Sequence, residues 1–158
     1  FRKKLLWIEE PTHPDLAHDW NNVTTIKLAA GENHHGLQQL FNLSNYNIAW
    51  IMPDFGRTLK ISEYPLLIKQ IKNNSSITFH SYSSGFLAYL SLLISTALPI
   101  EKTLYEHDFS HNALLTDITR DSIKIENGFA FIDQNALHEL SLNKIDESWK
   151  VKSITIEL

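Results

Sequence analysis

Residues 5–11 read LLWIEEP, an apolar run that stops on two carboxylates and a proline. Strands buried on both faces of a parallel sheet are apolar throughout, so a charged residue at the carboxyl end of such a run marks the rim where ligands bind. Four later runs share the design: IKLAAGEN (26–33), IAWIMPD (48–54), ITFH (77–80) and TLYEHD (103–108). Each ends on side chains that can ligate a metal or move a proton.

Helical spacing fills the intervals. Leu16, Trp20 and Val23 suit one face of a short helix, and Leu37, Leu40, Phe41 and Leu43 form a second stripe. Ser62, Glu63 and Pro65 predict the start of a helix carrying Leu66, Leu67, Ile68 and Ile71. Residues 86–98 predict an apolar core helix closed by Pro99. Strand and helix alternate about every two dozen residues, the rhythm of right-handed βα units in a parallel sheet. The rhythm then changes: Ile123 and Ile125, then Asn127-Gly128, then Phe129 and Phe131 predict a two-residue hairpin. Residues 135–142 predict one more helix and 151–158 a last strand. The fold class is therefore α/β, with about five βα units over 1–121 and a tail over 122–158 too small to be a domain alone.

Composition narrows the function. The 158 residues, 43% hydrophobic and 20% charged, suffice for one buried core. Eighteen acidic against fourteen basic residues give a net charge of −4, which offers nothing to a nucleic acid. The absence of cysteine excludes disulfides, thiolate metal sites and a cysteine nucleophile, and fits a cytoplasmic location. No signal peptide is expected at the amino end. The most apolar stretch, 86–98, is interrupted by Ser91, Ser95 and Thr96 and falls short of the ~20 residues of a membrane span. His34 and His35 diverge as neighbours, and with His13 and His18 they make no four-ligand zinc set; exposed loop histidines are expected.

The strand-end residues are Glu9 or Glu10, Glu32, Asp54, His80 and Glu106. Successive strand side chains alternate, so Glu9 and Glu10 face opposite sides and Glu10 is expected to be structural. Singly, Asp54 reads as a turn residue, Glu32 as a helix cap and His80 as a core histidine. Together they suit a hard divalent cation such as Mg²⁺, held by carboxylates with positions left open, beside a histidine base. Such a set can remove a proton next to a carboxylate while positive charge steadies the developing enediolate.

WIEEPT, GEN, MPD, a His-ended strand and a Glu-ended strand, in that order over 5–108, resemble the enolase superfamily, within it the mandelate racemase/muconate lactonizing enzyme family and its mandelate-racemase-like subgroup. The resemblance implies the carboxy-terminal part of a TIM-type (β/α)₇β barrel, with a capping domain, a first metal ligand and a lysine base on segments preceding residue 1. It implies Glu9 and Glu32 as Mg²⁺ ligands, Asp54 and His80 as a dyad with His80 as general acid or base, and Glu106 as the carboxyl facing the substrate carboxylate. The implied substrate is a small carboxylate, an acid sugar or 2-hydroxy acid, and the reaction a dehydration or racemisation. Nucleic-acid and membrane partners are not expected; a homo-oligomer, or association with a missing amino-terminal part, is. Five strands where such a barrel has eight leave an alternative, a truncated and inactive half-barrel that serves as an association module.

Overall fold

In the computed structural model, residues 5–23, 25–71, 75–82, 84–98, 103–110, 114–115 and 122–133 are described. Strands β1 (Ile8–Glu9), β2 (Leu28–Ala30), β3 (Trp50–Ile51) and β4 (Ser76–Ile77) form one parallel sheet in chain order. The register runs Glu9 to Ala29, Ala30 to Ile51, and Ile51 to Ile77. Each strand thus lies beside its sequence neighbour, the arrangement of a barrel wall. A fifth extended segment joins through the parallel bridge of Ile77 with Thr103, and Thr78 Oγ1 donates to Leu104 O at 2.6 Å.

The regular strands are shorter than the apolar runs that announce them, but backbone bonds continue the ladder towards the rim. Met52 N donates to Ala30 O at 2.8 Å and His80 N to Pro53 O at 3.1 Å. Pro53 has no N–H to donate in return, so regular pairing gives way there. The bridge of Asp54 with His80 carries β3 and β4 to the height at which the functional side chains leave the sheet.

Helices α1 (Leu37–Leu43), α2 (Tyr64–Gln70) and α3 (Gly85–Ser95) cover the sheet. Leu40, Leu43 and Leu67 pack with Leu28, Ala30, Ile51 and Phe79 in one apolar core. Phe55, Tyr64 and Phe79 add a ring cluster, with centroids 4.1 Å apart for Phe55 and Tyr64 and 4.8 Å for Phe55 and Phe79. Burial raises the Tyr64 hydroxyl above its ordinary range. Leu66, placed by its spacing on the α2 core face, is instead 49% exposed, and Phe86 on α3 is 52% exposed.

The first predicted helix is corrected in type. Residues Pro14–Asn22 form a 3₁₀ helix, whose period of three buries Ala17 and Trp20 and turns Leu16 outward. The α-helical spacing of Leu16 and Trp20 does not apply to that tighter coil. Trp20 Nε1 donates to Thr12 Oγ1 at 2.7 Å, so the buried indole leaves no unpaired donor.

The hairpin forms where the sequence places it. Strands β5 (Ile123–Glu126) and β6 (Phe129–Ile132) are antiparallel, with φ of +52° at Asn127 and +81° at Gly128, the values of a type I′ turn. The helix expected over 135–142 and the strand expected over 151–158 lie outside the described residues. Among those described, no helix is long and apolar enough to cross a membrane.

Gly31 closes β2 against β3. Its φ is +154°, and a Cβ there would stand 2.5 Å from the Met52 carbonyl carbon and 2.6 Å from its oxygen. Backbone cannot yield as a flexible side chain can. Replacing Gly31 by Ala should therefore cost about 1–3 kcal/mol or more, read as a lower urea midpoint of the whole chain; an unchanged midpoint would show that β2 and β3 can separate without loss.

Candidate metal and proton-transfer site

Parallel strands in register deliver their ends to one rim, and four functional side chains meet there. Glu9 ends β1, Glu32 follows β2 in the turn after Gly31, His80 follows β4, and Glu106 lies on the fifth extended segment. His80 is the centre. Its Nε2 is 2.9 Å from Glu32 Oε2, and its Nδ1 is 3.3 Å from Glu106 Oε2 and 3.6 Å from Glu9 Oε1. Glu106 Oε2 also accepts from Ser81 N at 3.0 Å, which ties that carboxylate to the β4 rim.

The imidazole is partly buried among three carboxylates, and this decides its charge. The close approach of the Glu106 and Glu9 carboxylates to Nδ1, with the negative charges of Glu106 and Glu32, outweighs burial and pushes its pKa up to about 10. His80 is therefore the cation that lets three carboxylates share one rim.

The expected pairing of Asp54 with His80 is not what the structure holds. Asp54 is buried, and its Oδ1 accepts from Gly56 N at 2.6 Å. Its backbone N donates to Thr58 Oγ1 at 3.0 Å, and that hydroxyl donates to Asp54 O at 2.9 Å. These bonds fold 54–58 into a turn of its own. The sequence order Asp-ended strand, then His-ended strand, is met by the backbone bridge, and the His80 ring turns to the carboxylates of the other rim residues. No ion pair joins Asp54 and His80 among the described residues.

Glu10 takes the opposite direction from Glu9, as alternation requires. Its backbone is left-handed, φ +34°, a strained state for a non-glycine residue worth about 1–3 kcal/mol. The strain aims its carboxylate beneath the β2 turn, where it accepts from Gly31 N at 2.9 Å, Asn33 N at 3.2 Å and Asn33 Nδ2 at 2.5 Å. His34 Nδ1 stands 3.4 Å away. Burial alone would raise this carboxyl, but the His34 ring beside it and the bonds from Asn33 and the Gly31 backbone prevail and hold it down at about 2. His34 is buried, against the expectation of an exposed loop residue, whereas His13, His18 and His35 are exposed. The doubled EE was the one sequence signal for this clamp; nothing in the spacing pointed to His34.

One group of donors at the rim, which does not include Glu32, has the span of a cation site. Glu9 Oε1, His80 Nδ1 and Glu106 Oε2 lie within 4.8 Å of one another, and Glu9 Oε1 is buried without a hydrogen bond. An oxygen-rich group with an unsatisfied buried carboxylate oxygen suits Mg²⁺ better than a soft metal. The set opens into a cleft of about 890 Å³ bordered by Thr12, His13, Asn33, His35 and Gln39. Their side chains offer donors and acceptors to a polar ligand.

Comparison with known proteins agrees with the fold. Among solved structures, the mandelate racemase/muconate lactonizing enzyme from Jannaschia sp. CCS1 is similar at TM-score 0.66 and 20% identity, over 80% of this chain and 33% of that one. The 3,6-anhydro-D-galactonate cycloisomerase from Zobellia galactanivorans is similar at 0.66 and 21%, over 86% and 42%. The mandelate racemase/muconate lactonizing enzyme-like protein from Roseovarius sp. TM1035 is similar at 0.69 and 20%, over 84% and 36%. The chain thus spans about a third to two fifths of the length of these structures. A search of curated proteins finds no match. The family model described as enolase C-terminal domain-like matches residues 2–135. A parallel wall with acidic strand ends around one histidine, and a match over most of its length, place the chain in the enolase C-terminal domain-like family.

Proposed function

We propose that the chain is the carboxy-terminal barrel portion of a Mg²⁺-dependent enzyme that removes the α-proton of a small carboxylate substrate, an acid-sugar dehydratase or a 2-hydroxy acid racemase. The convergence of Glu9, Glu32 and Glu106 on His80 carries this reading. Glu9 and Glu32 would hold the ion, which supplies positive charge against a substrate carboxylate as electron density builds on it. With Glu9 and Glu32 engaged by the ion, two of the three carboxylates that favour the His80 imidazolium are neutralised, which loosens its hold on the proton and lets the ring act as a base. It takes the α-proton at Nε2 while Nδ1–H donates to Glu106, which fixes the tautomer. Asp54 serves through the backbone, holding the turn to which the His80 strand is bonded. In a racemisation His80 would remove or deliver the proton on one face of the enediolate and the lysine implied on a preceding segment would serve the other; in a dehydration the imidazolium hands its proton to the departing hydroxyl.

Incorporation of deuterium from D₂O into acid-sugar and 2-hydroxy-acid candidates, with Mg²⁺ present, tests this. His80→Asn should lower exchange by about 10²–10⁴-fold, the usual worth of a positioned acid or base. Exchange unaltered by that substitution would remove His80 from the chemistry.

The metal-free chain makes a separate expectation. The folded pKa of about 10 lies above the ordinary 6.5, so the His80 ion pairs stabilise fully below pH 6.5, and that contribution fades as pH rises through 10. An NMR titration of the ring should show it protonated at pH 8, and a midpoint near 6.5 would break the counter-ion assignment.

A second reading rests on the free edge of β1. Leu5, Leu6 and Ile8 are exposed there, beside backbone groups that no strand pairs among the described residues. Such an edge favours association, either between copies or with an amino-terminal barrel segment. Sedimentation at micromolar concentration should show species larger than a monomer; a clean monomer would dismiss this reading.

A further inference from the structure

The β2 turn contains a side chain that neither the metal set nor the proton-transfer group uses. Asn33 lies between two carboxylates and a guanidinium. Its Nδ2 donates to Glu10 Oε2 at 2.5 Å and to Glu32 Oε1 at 3.1 Å, and its Oδ1 accepts from Arg57 Nη2 at 2.6 Å. Carboxylates only accept and a guanidinium only donates, so the amide has one orientation that satisfies all three. A primary amide has two N–H groups and a carbonyl; here both carboxylates are met on the nitrogen side and Arg57 on the oxygen side.

The geometry points to Asn33 as the positioning residue for Glu32, braced by Arg57 from the turn after β3. The inference rests on the proposed metal reading of Glu9 and Glu32 and deepens it. Glu32 is partly exposed on a turn, and a free glutamate there would sample several rotamers. Asn33 holds Oε1, and this leaves Oε2 aimed at the rim, where it meets His80 Nε2 at 2.9 Å. Glu10 accepts from the same amide nitrogen and is itself fixed by two backbone N–H groups. Arg57 reaches across from the Asp54 turn, its own N bonded to Asp54 O at 3.3 Å. The neighbouring strand end is thereby coupled to the Glu32 carboxylate through one amide. The arrangement also separates like charges: the amide nitrogen stands between Glu10 and Glu32, where a third carboxylate would be repelled by both.

Two measurements on the whole chain test this. The first needs no metal: a double-mutant cycle on urea unfolding with Asn33→Ala, Glu32→Ala and both together. Positioning predicts that the two changes are non-additive, because removing either partner removes the same bond; strictly additive effects would overturn it. The second is calorimetric titration with Mg²⁺. Asn33→Ala should weaken binding about 10–100-fold, the cost of losing a hydrogen bond that orients a ligand, Asn33→Asp at least as much despite its equal size, and Arg57→Ala less than either. Equal affinity in wild type and Asn33→Asp would overturn the assignment. If the wild-type chain takes up no Mg²⁺ while the unfolding cycle still shows coupling, the metal reading fails and the positioning of Glu32 stands.

Discussion

Three carboxylates cannot share one strand-end rim without a cation. At separations of a few ångströms their mutual repulsion would be several kilocalories per mole wherever water is partly excluded. In this chain the cation is the His80 imidazolium, 2.9 Å from Glu32 and 3.3 Å from Glu106. The raised His80 pKa follows from that one electrostatic requirement, and the hydrogen bond from Ser81 N to Glu106 eases the same charge. It also couples the two proposed roles of the rim. An ion held by Glu9 and Glu32 competes with His80 for the same charge, so the group that neutralises the rim and the group that moves a proton cannot be the same at one time.

Much of this was legible in residue order. An apolar run ended by a charge is one of the few local patterns that specify both a buried parallel strand and the side of the sheet that meets solvent. Glu9, Glu32, His80 and Glu106 could be placed on one rim because parallel register carries every strand end to a common level. The Asn127-Gly128 hairpin was equally direct, since two left-handed residues in succession suit few other pairs.

What the sequence left out depends on rotation about side-chain bonds and on helix type. Asp54 and His80 lie across a parallel bridge, yet the Asp54 carboxylate bonds to Gly56 N, two residues away. A local turn competes successfully with a pairing across strands because it closes a short loop at little entropic cost. Leu16 faces outward and Ala17 inward because the segment is a 3₁₀ coil, whose period of three selects a different face from the α-helical one. His34 was read as an exposed loop residue because the fold of the Gly31 turn, which buries it against Glu10, is not encoded in hydrophobic spacing.

The clamp at Glu10 bears on how a partial barrel can present a site at all. A closed barrel fixes its strand ends through a continuous ladder, but β1 here has a free edge among the described residues, and ladder bonds reach it from β2 alone. The strained backbone at Glu10 and its bonds to Gly31 and Asn33 tie the end of β1 to the turn after β2. Gly31 then lets that turn rest on the Met52 backbone at a distance no side chain would allow. Strain of about 1–3 kcal/mol at one residue is retained because three charge-assisted bonds oppose it, and such bonds contribute about 1.5–3 kcal/mol each. Local bonds between successive rim turns help bring Glu9 and Glu32 to within reach of the same imidazole.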